Sequence, residues 1–176
     1  MENNHIVALL KNVAQLLALH DANPFQVRHY TNAALCIEQT PQTLAHLSLA
    51  DLEKVPGLTA SAAKLVHELN TTGTLYRWQE LNQATPPGLQ ALLSLRGIGP
   101  KKLRIMWQKL GIDSAEALRE ACDRGEVATL PGFGHKTQSA IQAELAFRAR
   151  YRDMVHYATA RPCAERLVTS LKQAFT

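Results

Sequence analysis

The sequence predicts an all-α protein. Apolar residues recur at helical spacing through most of its 176 residues, and no alternating period-2 run or Asn-Gly hairpin interrupts them. Each strong break is a short Gly- or Pro-containing segment between two helical stretches.

The first helix is expected from about Asn4 to His20, with Ile6, Leu9, Leu10, Val13, Leu16 and Leu17 on one stripe. Asn23-Pro24 reads as an N-cap followed by proline at the first helical position, opening a helix that carries Phe25, Val27, Tyr30, Ala34 and Ile37 and stops before Pro41. Ser48 to Asp51 suggests a short capped helix, followed by a break at Val55-Pro56-Gly57-Leu58-Thr59 and a helix from about Ala60 to Asn70. Thr74 is expected to cap another helix through Trp78 and Leu81. Ala84-Thr85-Pro86-Pro87-Gly88 is the best candidate for a domain boundary, dividing residues 1–84 from a second unit at 85–152. Leu89 to Leu95 is helical, Arg96-Gly97-Ile98-Gly99 breaks the chain, and Pro100 to Leu110 resumes it. Asp113-Ser114-Ala115-Glu116 reads as a capping box for a helix to about Arg124. After Leu130-Pro131-Gly132-Phe133-Gly134 a long helix is expected from His135 to about Arg150. Arg161-Pro162 then precedes a last helix, to about Ala174, in the tail 153–176.

Composition narrows the function classes. With 46% hydrophobic and 19% charged residues the chain can bury a core. Cys36, Cys122 and Cys163 are odd in number and never in a Cys-x-x-Cys pair, so they signal neither a disulfide framework nor a zinc site. The seven histidines form no ligand pair at i, i+4 spacing with an acidic partner. The N-terminus lacks an export signal, and no segment approaches the roughly 18 to 20 apolar residues of a membrane span. A soluble protein of the reducing cytoplasm, with no membrane partner, is the expectation. The net charge of +4 is mild, but its distribution is uneven. Residues 1–90 carry five basic against seven acidic residues, and residues 91–152 carry 11 against 6. A polyanionic partner should meet the central third first.

Three of the breaks share one grammar: apolar, any residue, Gly, apolar, then Gly or a small residue, then a helix. The instances begin at Val55, Leu95 and Leu130, as in an internal repeat. Glycines there let the backbone take positive φ and let a phosphate oxygen approach without meeting a Cβ. The free N–H groups of the following helix start then point at one oxyanion. Gly97, Ile98, Gly99, Lys101 and Lys102 form one such candidate DNA site, and Gly132, Phe133, Gly134, His135, Lys136 and Thr137 a second. A lysine at a helix N-terminus opposes the macrodipole unless an anion sits there. Such sites read backbone, not base sequence. Of the other aromatics, three of Tyr76, Trp78, Trp107 and Phe147 are expected in the core.

At these residues the chain resembles the N-terminal region of family X DNA polymerases, particularly the bacterial form. The segment Asn23-Pro24-Phe25-Gln26-Val27-Arg28-His29-Tyr30-Thr31-Asn32-Ala33-Ala34 is similar to that family's small lyase-like domain, and the three hairpins and Thr72-Gly73-Thr74-Leu75 fall in family order. The resemblance implies a lyase-like helical domain with a degenerate first hairpin at 1–84, a tandem helix-hairpin-helix domain at 85–152, and binding to gapped, nicked or damaged DNA in repair. It implies a monovalent cation, Na+ or K+, held by the backbone carbonyls of Leu93, Leu95 and Ile98, and in the third hairpin by those of Ala128, Leu130 and Phe133. Tyr30 and Arg77 match a 5′-phosphate pocket in which Gln26 and Ser61 replace lysines, and Phe25, near the start of the DNA-facing helix, is the candidate aromatic for stacking on an exposed base; the three are expected to contact a 5′-phosphate or a base.

The family continues into a palm domain with three metal-binding aspartates, whereas residues 153–176 offer only Asp153 and Glu165, so nucleotidyl transfer is not expected. Lyase-active relatives carry a Schiff-base lysine where this chain has Leu65; Lys64 is adjacent but turned about 100° around the helix. The leading expectation is a non-catalytic, backbone-contacting DNA-binding protein. Two alternatives stay open: an abasic-site lyase using Lys64, and a module that binds a repair protein through residues 1–90.

Overall fold

The computed structural model describes residues 2–151 as nine α-helices and one 3-10 turn, with no strand among them. The tail helix expected to run to about Ala174, with Cys163, lies outside the described residues. Helix α1 (Asn3–Leu19) is the central strut, burying Ile6, Leu10, Val13, Leu16 and Leu17 against α2 (Pro24–Glu38), α5 (Tyr76–Ala84) and α7 (Pro100–Leu110). Its first residue also fixes a loop: the Asn3 amide donates to the Gln42 carbonyl at 2.8 Å, and its oxygen accepts the Leu44 N–H at 3.0 Å.

Capping side chains set four of the helix starts. Asn23 accepts the Phe25 N–H at 2.9 Å ahead of Pro24, as the Asn-Pro pair predicts. Ser48 caps the short α3 (Leu49–Leu52), and Thr59 caps α4 (Ala60–Thr72), its hydroxyl accepting the Ala62 N–H at 3.2 Å. Two expected caps differ. At α5 the Thr74 hydroxyl is buried without a partner among the described residues, and the Glu68 carboxylate, reaching across from α4, accepts the Tyr76 N–H at 2.7 Å. At α8 (Ala115–Asp123) the cap is Ser114 rather than Asp113, its hydroxyl accepting the Ala117 N–H at 3.2 Å.

Helix α6 (Pro87–Leu93) begins inside the Pro-Pro-Gly segment, because Pro87 needs no N–H partner at the first helical position. Gly88 there is a packing residue: an added Cβ would lie 2.1 Å from the Asp113 carbonyl oxygen. Buried side chains on both sides of this segment form one apolar cluster. Polar contacts cross it too. The Thr85 hydroxyl donates to the Leu81 carbonyl and accepts from His20 Nε2–H, each at 2.7 Å; the His20 ring meets Trp107 edge-on, and Arg104 pairs with Asp21. The 3-10 turn (Val127–Thr129) leads to α9 (His135–Tyr151), whose Gln138 side chain accepts the Ala128 N–H at 2.9 Å.

Candidate nucleic-acid interface

The three hairpins are one structure repeated. In each, the N–H of the second apolar residue donates back to the carbonyl of the first: Leu58 to Val55 at 3.1 Å, Ile98 to Leu95 at 3.3 Å and Phe133 to Leu130 at 3.1 Å. The intervening Gly57, Gly97 and Gly132 have φ of 82°, 86° and 79°. That combination is the signature of a type II turn, which requires positive φ at its third residue. Two turns carry proline at the second position; the middle one carries the exposed Arg96, a cation on the hairpin itself.

The second glycines do not share that role. Gly99 is extended, with φ −88° and ψ 164°, and an added Cβ would meet open space. Any side chain could stand there as far as the protein's own packing is concerned. Gly134 has φ 124°. The counterpart of Gly99 in the first hairpin is Thr59, whose hydroxyl already occupies a helix-start N–H. Gly99 provides no such cap, and after the Leu103 N–H turns back to its carbonyl at 3.0 Å, the N–H groups of Lys101 and Lys102 face outward from the ladder.

Charge follows the same division. Arg104, Arg124 and Arg148 are tied to carboxylates, whereas Arg96, Lys101, Lys102 and Lys136 form no ion pair among the described residues. The Lys102 ammonium lies over the Phe133 ring at 5.7 Å, bringing the start of α7 against the third hairpin. Gly97, Gly99, Lys101, Gly132, His135 and Lys136 are exposed; Ile98 is buried, and Lys102, Phe133, Gly134 and Thr137 are half-buried. Ile98 and Phe133 thus anchor the two turns while glycine backbone and basic helix starts remain open to solvent.

The hairpin carbonyls have the donor chemistry a monovalent cation requires. The Leu95 and Leu130 oxygens each accept one turn N–H and retain a second lone pair, and Leu93 ends α6, where the last carbonyls of a helix lack i+4 partners. Leu93, Leu95 and Ile98 would hold one ion, and Ala128, Leu130 and Phe133 another, through neutral carbonyls like those that replace water around K+ in channels. Among the described residues no group of His, Cys, Asp or Glu is placed to hold a metal.

A second feature lies away from the hairpins, in a cleft of about 570 Å³ between α2 and α5. Phe25, Gln26, His29 and Tyr30 line one side, Tyr76, Arg77 and Glu80 the other, with Leu17 behind. Phe25, Tyr30 and Arg77 therefore come together, as the sequence match to a 5′-phosphate pocket implies. Tyr76 was missed: expected among core aromatics, it is 74% exposed, as is Phe25, and Phe147 is also exposed. Arg77 donates to Glu80 at 2.6 Å. Burial, and then the charge of Glu68, raise the Tyr30 phenol above its ordinary pKa, with Arg77 opposing. Lys64 lies outside this lining and is exposed on α4; Leu65, beside it, is buried with Ala62 and Leu69.

The comparisons agree with the geometry. Residues 1–75 match a helix-hairpin-helix domain model, and residues 89–146 match the model of a SAM-like helix-hairpin-helix tandem. The chain is 32% identical over 141 residues to a Bacillus subtilis (strain 168) protein described as DNA polymerase/3′-5′ exonuclease PolX; the match covers 80% of this chain and 24% of that protein. No helix among the described residues is long and apolar enough to cross a membrane. Repeated turns, all-helical fold and both kinds of match together make this a helix-hairpin-helix chain that resembles the N-terminal region of the bacterial family X DNA polymerases.

Proposed function

We propose that this chain binds DNA through its sugar-phosphate backbone, using the second and third hairpins, at gapped, nicked or damaged sites during repair in the cytoplasm. The observation that carries the reading is the pairing of an uncapped helix start at Lys101 and Lys102 with the third hairpin, joined by the Lys102 contact to Phe133, on the only strongly basic stretch of the sequence. A phosphate oxygen at the start of α7 would accept the free N–H groups and reverse the unfavourable placement of two lysines at the positive end of a helix. Na+ or K+ on the hairpin carbonyls would bridge to a further phosphate oxygen. None of these groups distinguishes one base from another, so recognition follows backbone shape.

On this reading the chain is a binding protein and not a lyase. A nucleophilic lysine needs a neighbouring base or a depressed pKa, and Lys64 stands exposed outside the cleft. Borohydride treatment on an incised abasic duplex should leave no covalent adduct; an adduct lost in Lys64→Ala would reverse the assignment. The main test is the double substitution Lys101→Glu with Lys136→Glu, which should weaken binding to unrelated sequences by the same factor. Unchanged affinity, or a loss confined to one sequence, would refute backbone recognition through these helix starts.

A further inference from the structure

We infer that Arg148 is a positioning residue for DNA binding: without touching a phosphate, it holds the second and third hairpins at one separation, so that both engage the same duplex. All three nitrogens of its guanidinium are engaged. Nε donates to Glu144, one turn back on α9, at 3.1 Å; Nη1 donates to the Ser94 hydroxyl at 2.7 Å and Nη2 to the Ser94 carbonyl. Ser94 caps the C-terminal end of α6 and leads directly into the turn that begins at Leu95. Arg148 therefore ties the helix that follows the third hairpin to the entry of the second.

The residue ahead of each turn bonds back by three positions. The Ser94 hydroxyl donates to the Ala91 carbonyl at 2.6 Å, the Thr129 hydroxyl donates to that of Glu126 at 2.7 Å, and Lys54 pairs with Asp51. Having given its proton to Ala91, the Ser94 oxygen can accept from Arg148. Among the described residues, Ser94 alone of the three takes a bond from another hairpin's helix. Direct packing of α6 on α9 does not set their separation: a cavity of about 390 Å³ lies between them, with Leu92 and Leu95 on one side and Leu145 and Ala149 on the other, and Arg148 spans it. The Lys102 contact to Phe133 makes a second link, from the second hairpin's helix to the third hairpin's turn. One link would leave the hairpins free to pivot about it; two do not. A duplex is stiff and presents its phosphates at set spacings, so two sites held at one separation gain the second contact without further ordering. A single strand is flexible enough to adjust to either arrangement.

This inference rests on the reading that both hairpins bind DNA, and the two fail differently. Arg148→Gln in the full chain should weaken binding to a blunt duplex about two- to thirtyfold, the range over which a coupling contact between two sites acts, and leave single-strand affinity unchanged. Arg148 is exposed, so the fold should persist. Ser94→Ala, which removes one of the two acceptors, should give the same pattern at smaller size. In a Lys136→Glu background, where the third hairpin no longer holds the duplex, Arg148→Gln should cost nothing further, because no second contact remains to be positioned. Arg148→Lys keeps the charge but lacks the fork that spans both Ser94 oxygens, so it should behave as Arg148→Gln does. An equal loss with and without Lys136→Glu overturns the inference, as does recovery in Arg148→Lys, an equal loss on single strands, or unchanged duplex affinity. Failure of the hairpin reading would show separately, as binding by the parent chain indifferent to Lys101→Glu with Lys136→Glu.

Discussion

Gly99→Ser should make the protein more stable and a poorer DNA binder at once. Gly99 is extended with φ −88°, and a Cβ there meets nothing, so the folded state accommodates serine without strain. Replacing glycine at a compatible position reduces the freedom of the unfolded chain and stabilises by about 0.4–1 kcal/mol. A serine N-cap adds a few tenths of a kcal/mol over glycine, as its hydroxyl accepts the Lys102 N–H in the way Thr59 accepts that of Ala62. The sum, about 0.5–1.5 kcal/mol, raises Tm by about 1–6 °C for a chain of this size. The same hydroxyl takes a donor from the phosphate, and the Cβ keeps the phosphate away. One hydrogen bond to a charged group contributes about 1.5–3 kcal/mol, so affinity should fall about ten- to a hundredfold. Gly97→Ala is the contrasting control: at φ +86° it should destabilise by about 1–2 kcal/mol. Scanning calorimetry and fluorescence anisotropy on one preparation decide the matter. Gly99→Ser with DNA affinity within about twofold of the parent would refute the claim that this glycine keeps the helix start open to phosphate.

Three further outcomes follow from the fold. Gly88→Ala should destabilise by about 1–3 kcal/mol or more, because its Cβ would sit 2.1 Å from a backbone oxygen that can move only with the α7–α8 loop; an unchanged urea midpoint would show that α6 does not pack as described. Burial, then the charge of Arg77, lowers the His20 pKa below 6.5. The unfolded chain therefore binds this proton more readily, so the stability associated with neutral His20 is complete above about pH 6.5 and declines as pH falls through that value toward the folded-state pKa. Urea midpoints should fall more between about pH 7.5 and pH 5.5 in the parent than in His20→Gln, and equal slopes would contradict the assignment. Burial, and then the charge of Asp123, push the Cys122 thiol up to about 11, and its side chain is 1% exposed. It should resist alkylation at neutral pH until the protein unfolds, as mass spectrometry after iodoacetamide treatment would show.

Most of the helical frame was legible because its signals are local. Asn23-Pro24, Ser48 and the apolar stripe of α1 each act within one or two turns of chain, and Pro100 and Leu110 bound α7 as expected. The hairpins were legible as a repeat, since a type II turn demands glycine at a fixed place. What escaped depends on distant partners. Nothing beside Tyr76 announces that Glu68 caps its N–H, or that α5 turns this aromatic outward beside Phe25. Gly88 reads as a linker residue until Asp113 comes within 2.1 Å of its missing Cβ, and Phe25, counted among the apolar residues of α2, lies well round the helix from the buried Ala33, Ala34 and Ile37. The expectation that both hairpin glycines take positive φ holds at Gly97, Gly132 and Gly134 and fails at Gly99, which is extended.

The salt dependence of DNA binding tests the central claim most directly. If the two hairpins and their helix starts engage about three to five phosphates, log K should fall against log salt with a slope of about −3 to −4.5, the same for unrelated sequences. A slope near zero, or no binding at about 50 mM salt, would contradict backbone recognition by this chain.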